Sequence, residues 1–172
     1  MSSTPGMAPK QIAPEVQERV FQLALGYIPA SALYVAVHLN LADLLAEGPQ
    51  DVSALARTTG MQEDGLFRVL RALASVGVFS EVASRKFALN DAADLLRTGS
   101  PLRDMTEWMT DPFHFQTYSH LLHSVRSGES GMEIAAGVPV FEYFRQNPEE
   151  GDVFNRAMTA LSKVVIPAVL EA

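Results

Sequence analysis

Trp108, Met109, Phe113, His114, Phe115 and Tyr118 fall within eleven residues, and Phe154 and Met158 stand one helical turn apart further along the chain. Flat rings and a flexible thioether are the groups that line pockets for planar, apolar ligands, with a histidine as a polar handle for orientation. The same residues also suit plain helix packing, and both readings stay open at this point. Metal chemistry finds less support. His120 and His123 are three apart and His114 lies upstream, but no Asp or Glu accompanies them at ligand spacing. Glu149-Glu150 and Glu63-Asp64 are paired carboxylates, yet each pair opens a helical stretch, where the helix dipole accounts for it. No serine sits in a nucleophile elbow. Gly128-Glu129-Ser130-Gly131 follows a helical segment rather than a strand, so it does not make a phosphate-binding turn, and no strand–helix–strand unit occurs in the sequence. The sequence assigns no catalytic residue and no metal ligand.

Around these residues the pattern is mainly helical. Residues 1–13, with Pro5 and Pro9 among small polar residues, read as a flexible tail. Val16, Val20, Leu23 and Tyr27 recur at helical spacing until Gly26 and Pro29 interrupt them. Ala32, Leu33, Ala36, Val37 and Leu39 then form a helix apolar on most sides, which must be covered on most sides. A partner subunit or an ordinary central core would each supply that cover. Residues 41–48 give a short helix stopped at Gly48-Pro49, and 51–60 a second, with Asp51 or Ser53 as cap and Gly60 as stop. A third carries Leu66, Val69, Leu70, Leu73 and Val76 on one face and ends at Gly77. Two β-type runs, 78–82 and 86–90, flank a polar turn, so the segment follows the winged-helix plan of helix–turn–helix and hairpin. Asn90 caps a helix expected to reach Thr98-Gly99; Ser100-Pro101 opens the next, and Asp111-Pro112 breaks the chain. One helix is expected through Tyr118, Leu121, Leu122 and Val125, a short one over 139–145, and a last one from about Glu149.

Composition narrows the function classes. Among 172 residues, 48% are hydrophobic and 19% charged, enough apolar content for a packed core. The absence of cysteine removes disulfides, thiolate metal sites and cysteine nucleophiles. A net charge of −7 disfavours nucleic acid and anionic membrane surfaces. A helix–turn–helix raises DNA binding, but Arg68, Arg71, Arg85 and Lys86 are few cations to set against phosphate, with Glu63 and Asp64 beside them. No uninterrupted apolar run reaches about 20 residues, and nothing resembles a secretory signal. The expectation is a cytoplasmic protein with no nucleic-acid or membrane partner.

Taken in order, residues 39–45 (LNLADLL), 55–79 (LARTTGMQEDGLFRVLRALASVGVF), 118–125 (YSHLLHSV), 140–144 (VFEYF) and 153–162 (VFNRAMTALS) resemble the N-terminal domain of the small-molecule O-methyltransferases. That group includes the plant phenolic and the bacterial polyketide and phenazine methyltransferases. The resemblance implies a mainly α fold with a winged-helix core and added dimerisation helices. It divides the chain into a tail at 1–13, dimerisation helices plus winged-helix core at 14–100, and a helical substrate-lid and linker region at 101–172. That last region would lead to a Rossmann-like domain, not contained in this sequence, which binds S-adenosylmethionine and carries the family's catalytic histidine. The implied partners are a second copy of the chain, as an intertwined homodimer, and an aromatic or polyketide-like small molecule. Phe154 and Met158, in the FNxxM pattern, correspond to substrate contacts, as do Trp108, Met109, His114 and Phe115. Ser162 falls where the family has a serine near the methyl donor. Leu161 replaces a histidine of many plant members, implying a less polar acceptor. With no strand–glycine loop–helix unit in the sequence, the isolated chain is expected neither to bind S-adenosylmethionine nor to transfer a methyl group. A winged-helix DNA-binding regulator and a non-catalytic dimerisation or ligand-binding module are the alternatives.

Overall fold

The computed structural model describes residues 12–170; residues 1–11 of the expected tail lie outside the described part. The chain is mainly α-helical, as expected, with one small antiparallel sheet. Helix α1 (Pro14–Leu25) starts with proline in its first turn and meets α2 (Tyr27–His38) at a 44° bend. Pro29 sits inside the first turn of α2, where its missing N–H costs no helical bond. No single described helix is long and apolar enough to cross a membrane.

The first core forms around α2. Helix α3 (Leu41–Leu44), strand β1 (Gln50–Asp51), α4 (Val52–Thr59), α5 (Glu63–Ser75), the hairpin β2 (Ser80–Ala83) and β3 (Lys86–Ala88), and α6 (Asp91–Asp94) follow in order. Leu41, Leu45, Val52, Leu55, Leu66, Leu70, Leu73, Phe79 and Phe87 meet in one cluster with Ala36 and Val37. This decides how α2 is covered. Val37 is 1% exposed, and Ala32 and Ala36 are also buried, all within the chain's own core, with Leu33 packed against it. Helices α3, α5 and α7 (Pro101–Thr110) close over them, so no partner is needed there.

The sheet order is β1-β3-β2, with Gln50 opposite Phe87 and Glu81 on the other side of it. A two-residue strand such as β1 is below what periodicity can detect. Helix α6 stops at Asp94 instead of reaching Thr98, because the Thr98 N–H and hydroxyl both donate to the Asp43 carboxylate, at 3.1 and 2.7 Å. Those bonds turn the chain aside into a series of tight turns.

Beyond Ser100 lies a second helical group: α7, α8 (Pro112–Ser119), α9 (Leu121–Ser127), α10 (Gly131–Ala136), α11 (Val140–Gln146) and α12 (Pro148–Leu170). The single helix expected through Tyr118 and Val125 is two helices, broken at His120, whose N–H reaches back only three residues to Thr117. Helix α10 was not expected at all. Ser130 caps it by accepting from the Glu133 N–H.

Candidate functional site

Trp108 is the centre of the second core. It lies on α7, 4% exposed, and meets three rings edge-on: His114 at 4.4 Å, Phe154 at 5.2 Å and Phe144 at 5.9 Å. Phe144 of α11 and Phe154 of α12 stack at 4.8 Å, and Phe141 stands edge-on to both. Edge-to-face and offset pairs of this kind add to the burial of the rings themselves. Met105, Met132, Val140, Tyr143, Val153 and Met158 pack around them. Local sequence sets the helices at these angles. The Asp111 carboxylate accepts from the Phe113 N–H at 2.7 Å, so α8 starts at once after α7 ends. Gly151 lets α12 approach α11, since a Cβ there would stand 3.3 Å from both the Cβ and carbonyl oxygen of Phe144.

Of the expected site residues, Trp108, His114, Phe154 and Met158 thus stand in one neighbourhood. Met109 turns the other way and is 48% exposed. Phe115 is half-buried and makes none of the ring contacts seen among the described residues. Ser162 is exposed, one turn past Met158, and its hydroxyl donates to the Met158 carbonyl at 2.9 Å. Leu161 lines a small apolar pocket of about 210 Å³ with Pro101, Leu102 and Met105. A cavity of about 350 Å³ opens beside the aromatic stack, bounded by Phe141, Phe144 and Phe154 with Arg145 and Asn155 at its polar edge. That volume admits a fused planar ring system. Sequence reasoning missed Met105, Met132, Tyr143 and Phe144, which come from three separate helices. The paired aromatics at 143 and 144 were the available signal.

An acidic cleft of about 340 Å³ lies beside this core. Tyr34, His38, Glu107, Asp111, Glu149, Glu150, Asp152 and Arg156 line it. Burial pushes the Asp111 carboxyl up, against the pull of its bond to the Phe113 N–H. Burial, together with Asp111, Glu149 and Glu107, pushes Glu150 up as well. His114 is 7% exposed; burial lowers its proton affinity more than the nearby Asp111 raises it. Its Nδ1 has no hydrogen-bond partner among the described residues. Among the described residues no group of three His, Cys, Asp or Glu is placed to hold a metal. Nor does any described strand run through a glycine turn into a helix in the way a methyl-donor or nucleotide site requires. The described residues do not fit S-adenosylmethionine.

Arg85 donates to Glu63 and Asp64, both at 2.9 Å, and lies over the Phe67 ring at 4.4 Å. The hairpin's arginine is thereby tied to the acidic start of α5.

Comparison with known proteins agrees with this architecture. Residues 21–99 match the family described as O-methyltransferase dimerisation domain. The chain is 37% identical over 155 residues to phenazine O-methyltransferase PhzM of Lysobacter antibioticus, covering 89% of this chain and 45% of that protein. It is 36% identical to mitomycin biosynthesis 6-O-methyltransferase of Streptomyces lavendulae, over 92% of this chain and 45% of that protein. The crystal structure of LaPhzM superposes with a TM-score of 0.86 at 35% identity, covering 91% of this chain and 48% of that one. The chain therefore spans just under half the length of the curated relatives it matches.

Proposed function

We propose that this chain is the dimerisation and substrate-positioning part of an S-adenosylmethionine-dependent O-methyltransferase acting on a hydroxyl of an aromatic or polyketide-like molecule. The observation that carries the reading is the ring cluster of Trp108, Phe144 and Phe154 beside a 350 Å³ cavity, in a chain that bears an O-methyltransferase dimerisation domain. Relatives named for phenazine and mitomycin support a flat, multi-ring acceptor. Residues 14–100 serve dimerisation and 101–172 form the substrate lid and linker. S-adenosylmethionine supplies the methyl group in a further, Rossmann-like domain. This chain's residues exclude water and hold the acceptor still, which is a large part of what a displacement at a methyl group needs. Phe154 lines the cavity with Phe141 and Phe144, and Trp108 and Met158 pack behind it; His114 is the proposed polar handle, and Met109 and Phe115 the proposed outer contacts. Ser162, with its hydroxyl already committed, approaches the donor only if that bond is exchanged.

The second copy is proposed to cover α1. Phe21 is 65% exposed, and Val16, Val20 and Leu23 lie open beside it. Ile12, Val16, Val20, Phe21 and Ala24 line an apolar groove of about 400 Å³. Exposed apolar area of this kind marks an interface. The enzyme is proposed to be cytoplasmic, with no nucleic-acid or membrane partner.

The test is an NMR titration of the chain with 1-hydroxyphenazine. Shifts centred on the Trp108 indole N–H and on α11 and α12, reduced about tenfold in affinity by Phe154→Ala, are expected. An absence of shifts, or shifts spread over the whole surface, overturns the site.

A further inference from the structure

Helix α9 has no buried residue, and neither has α1. Both nonetheless turn bulky apolar side chains to solvent. On α9 these are Leu121, Leu122 and Val125, which share one side of the helix, with Tyr118 exposed beside them in the last turn of α8. On α1 they are Val16, Val20 and Leu23, again on one side, with Phe21 at the edge. Helix α10 packs against both α8 and α9, so the α8–α9 stripe is held as a fixed surface. That stripe lies outside residues 21–99, the part that matches the dimerisation family.

Area decides whether α1 could serve a dimer by itself. Its 12 residues make a helix about 18 Å long and roughly 10 Å wide, one face of which buries on the order of 300 Å². Two such faces, α1 against α1, hide about 600 Å², which is the size of a crystal-packing contact and below the roughly 1,000 Å² of a stable interface. Residues 118–125 add a shorter stripe, on the order of 200 Å². Both stripes from both copies together reach about 1,000 Å².

Charge decides how the stripes pair. Helix α1 carries Glu15 and Glu18 against a single Arg19. The α8–α9 stripe is edged by His120, His123 and Arg126, of which His123 is matched by Glu129 at 2.6 Å. Among the described residues Arg126 has no acidic partner, and Glu15 and Glu18 have no basic one. Stripe on like stripe would turn Arg126 towards its own copy. Crosswise pairing brings it to the glutamates of α1, and complementary charge of this kind sets the register of an interface.

We infer that the α8–α9 stripe is the receiving surface for α1 of a second copy: in a two-fold exchange, each copy lays the Val16–Val20–Leu23 side of α1 across Leu121, Leu122 and Val125 of the other. This exchange rests on the homodimer proposed above and supplies the surface that its α1 helices meet. It also reaches the ring cluster. Tyr118 stands 5.7 Å from the His114 ring, which in turn meets Trp108 at 4.4 Å. A helix seated on Tyr118 therefore shields His114, and the outer wall of the cluster is complete only in the dimer.

The sequence has no cysteine, so introduced thiols are the only ones in the chain. Leu23 and Val125 are 78% and 76% exposed, and a cysteine at either leaves the packing within one copy intact. The Leu23→Cys/Val125→Cys chain, treated with a short bis-maleimide that tolerates a turn of register, is expected to give covalent dimers. Neither single variant should. Independently, Leu122→Asp with Val125→Asp should raise the dimer dissociation constant at least about tenfold, with the circular dichroism spectrum unchanged. Linked dimers from either single variant at the yield of the double one mean like-on-like pairing and overturn the exchange. So does an undiminished dimer of the Asp variant. A dimeric wild type whose double-cysteine variant yields no linked dimer overturns the exchange and leaves the homodimer standing, whereas a monomeric wild type by light scattering removes both.

Discussion

Gly131 approaches Thr117 so closely that a Cβ on it would stand 2.9 Å from the Thr117 carbonyl oxygen. Ser124 Oγ would lie 3.3 Å from the same atom. The start of α10 is pressed into the break between α8 and α9, and only a hydrogen fits there. Gly131→Ala is expected to destabilise the chain by about 1–3 kcal/mol, the usual range for forcing a methyl into packed space. Urea unfolding followed by circular dichroism measures it. A neutral or stabilising result would mean that α10 shifts freely and does not fix the α8–α9 angle.

Asn90 ties three elements together. Its Oδ1 accepts from the Ala93 N–H at 2.9 Å and from the Phe79 N–H at 3.3 Å, while its amide donates to the Gly77 carbonyl at 3.1 Å. Phe79 has a φ of 66°, an unfavourable backbone for a buried ring, and the bond to Asn90 helps to hold it. Asn90→Ala should cost about 1–3 kcal/mol, combining a lost cap with unmatched polar groups. Asn90→Asp, which keeps the acceptor, should cost less in the same unfolding assay.

His114 makes acid stability measurable. Because its proton affinity falls on folding, the unfolded chain takes up the proton first as pH drops below about 6.5. Stability from this residue is therefore intact above that pH and declines below it. His114→Phe, which preserves a ring against Trp108, should give a shallower loss of urea midpoint between pH 6.5 and 5. An unchanged slope would show that the imidazole is solvated in solution.

The two apolar stretches near the N-terminus should respond differently to charge. Val20→Asp with Phe21→Asp alters the exposed face of α1 and should convert dimers to folded monomers, read by size-exclusion chromatography with light scattering. Val37→Asp places an unpaired charge in the first core and should abolish cooperative folding. Monomeric wild type at tens of micromolar would refute the assembly.

Most helix limits were legible because they are chemical: Gly60, Asn90, Ser100-Pro101 and Asp111-Pro112 each stop or start an element in the way the sequence implies. What escaped depends on contacts between distant residues. Asp43 shortens α6 from 55 positions away, and β1 exists only because β3 pairs with it. Whether a partner or the chain's own core covers the apolar α2 stayed open in the sequence, since periodicity cannot say which side of a helix the same chain will cover. Trp108, His114, Phe154 and Met158 were singled out by side-chain type and by the resemblance, and they pack together; the exposed facing of Met109 depends on how α7 rolls against α12, which spacing does not state. Glu149-Glu150 read as a dipole pair, which fits the exposed Glu149. Burial separates Glu150 from it, and burial is not written in a dipeptide.

Arg103 joins the two cores, and the join has a mechanical meaning. From α7 it grips the end of α2, through the Val37 carbonyl at 3.4 Å and the Asn40 side chain at 2.8 Å. It also holds Glu107, which in turn holds Arg156 on α12. This is a strut of alternating charge running from the helix next to α1 to the helix that carries Phe154. A load applied to α1 by a neighbouring subunit would pass through α2 to that strut and reach the ring pocket as torque. Assembly and pocket shape would then behave as one stiff frame, in which tightening either end strains the other.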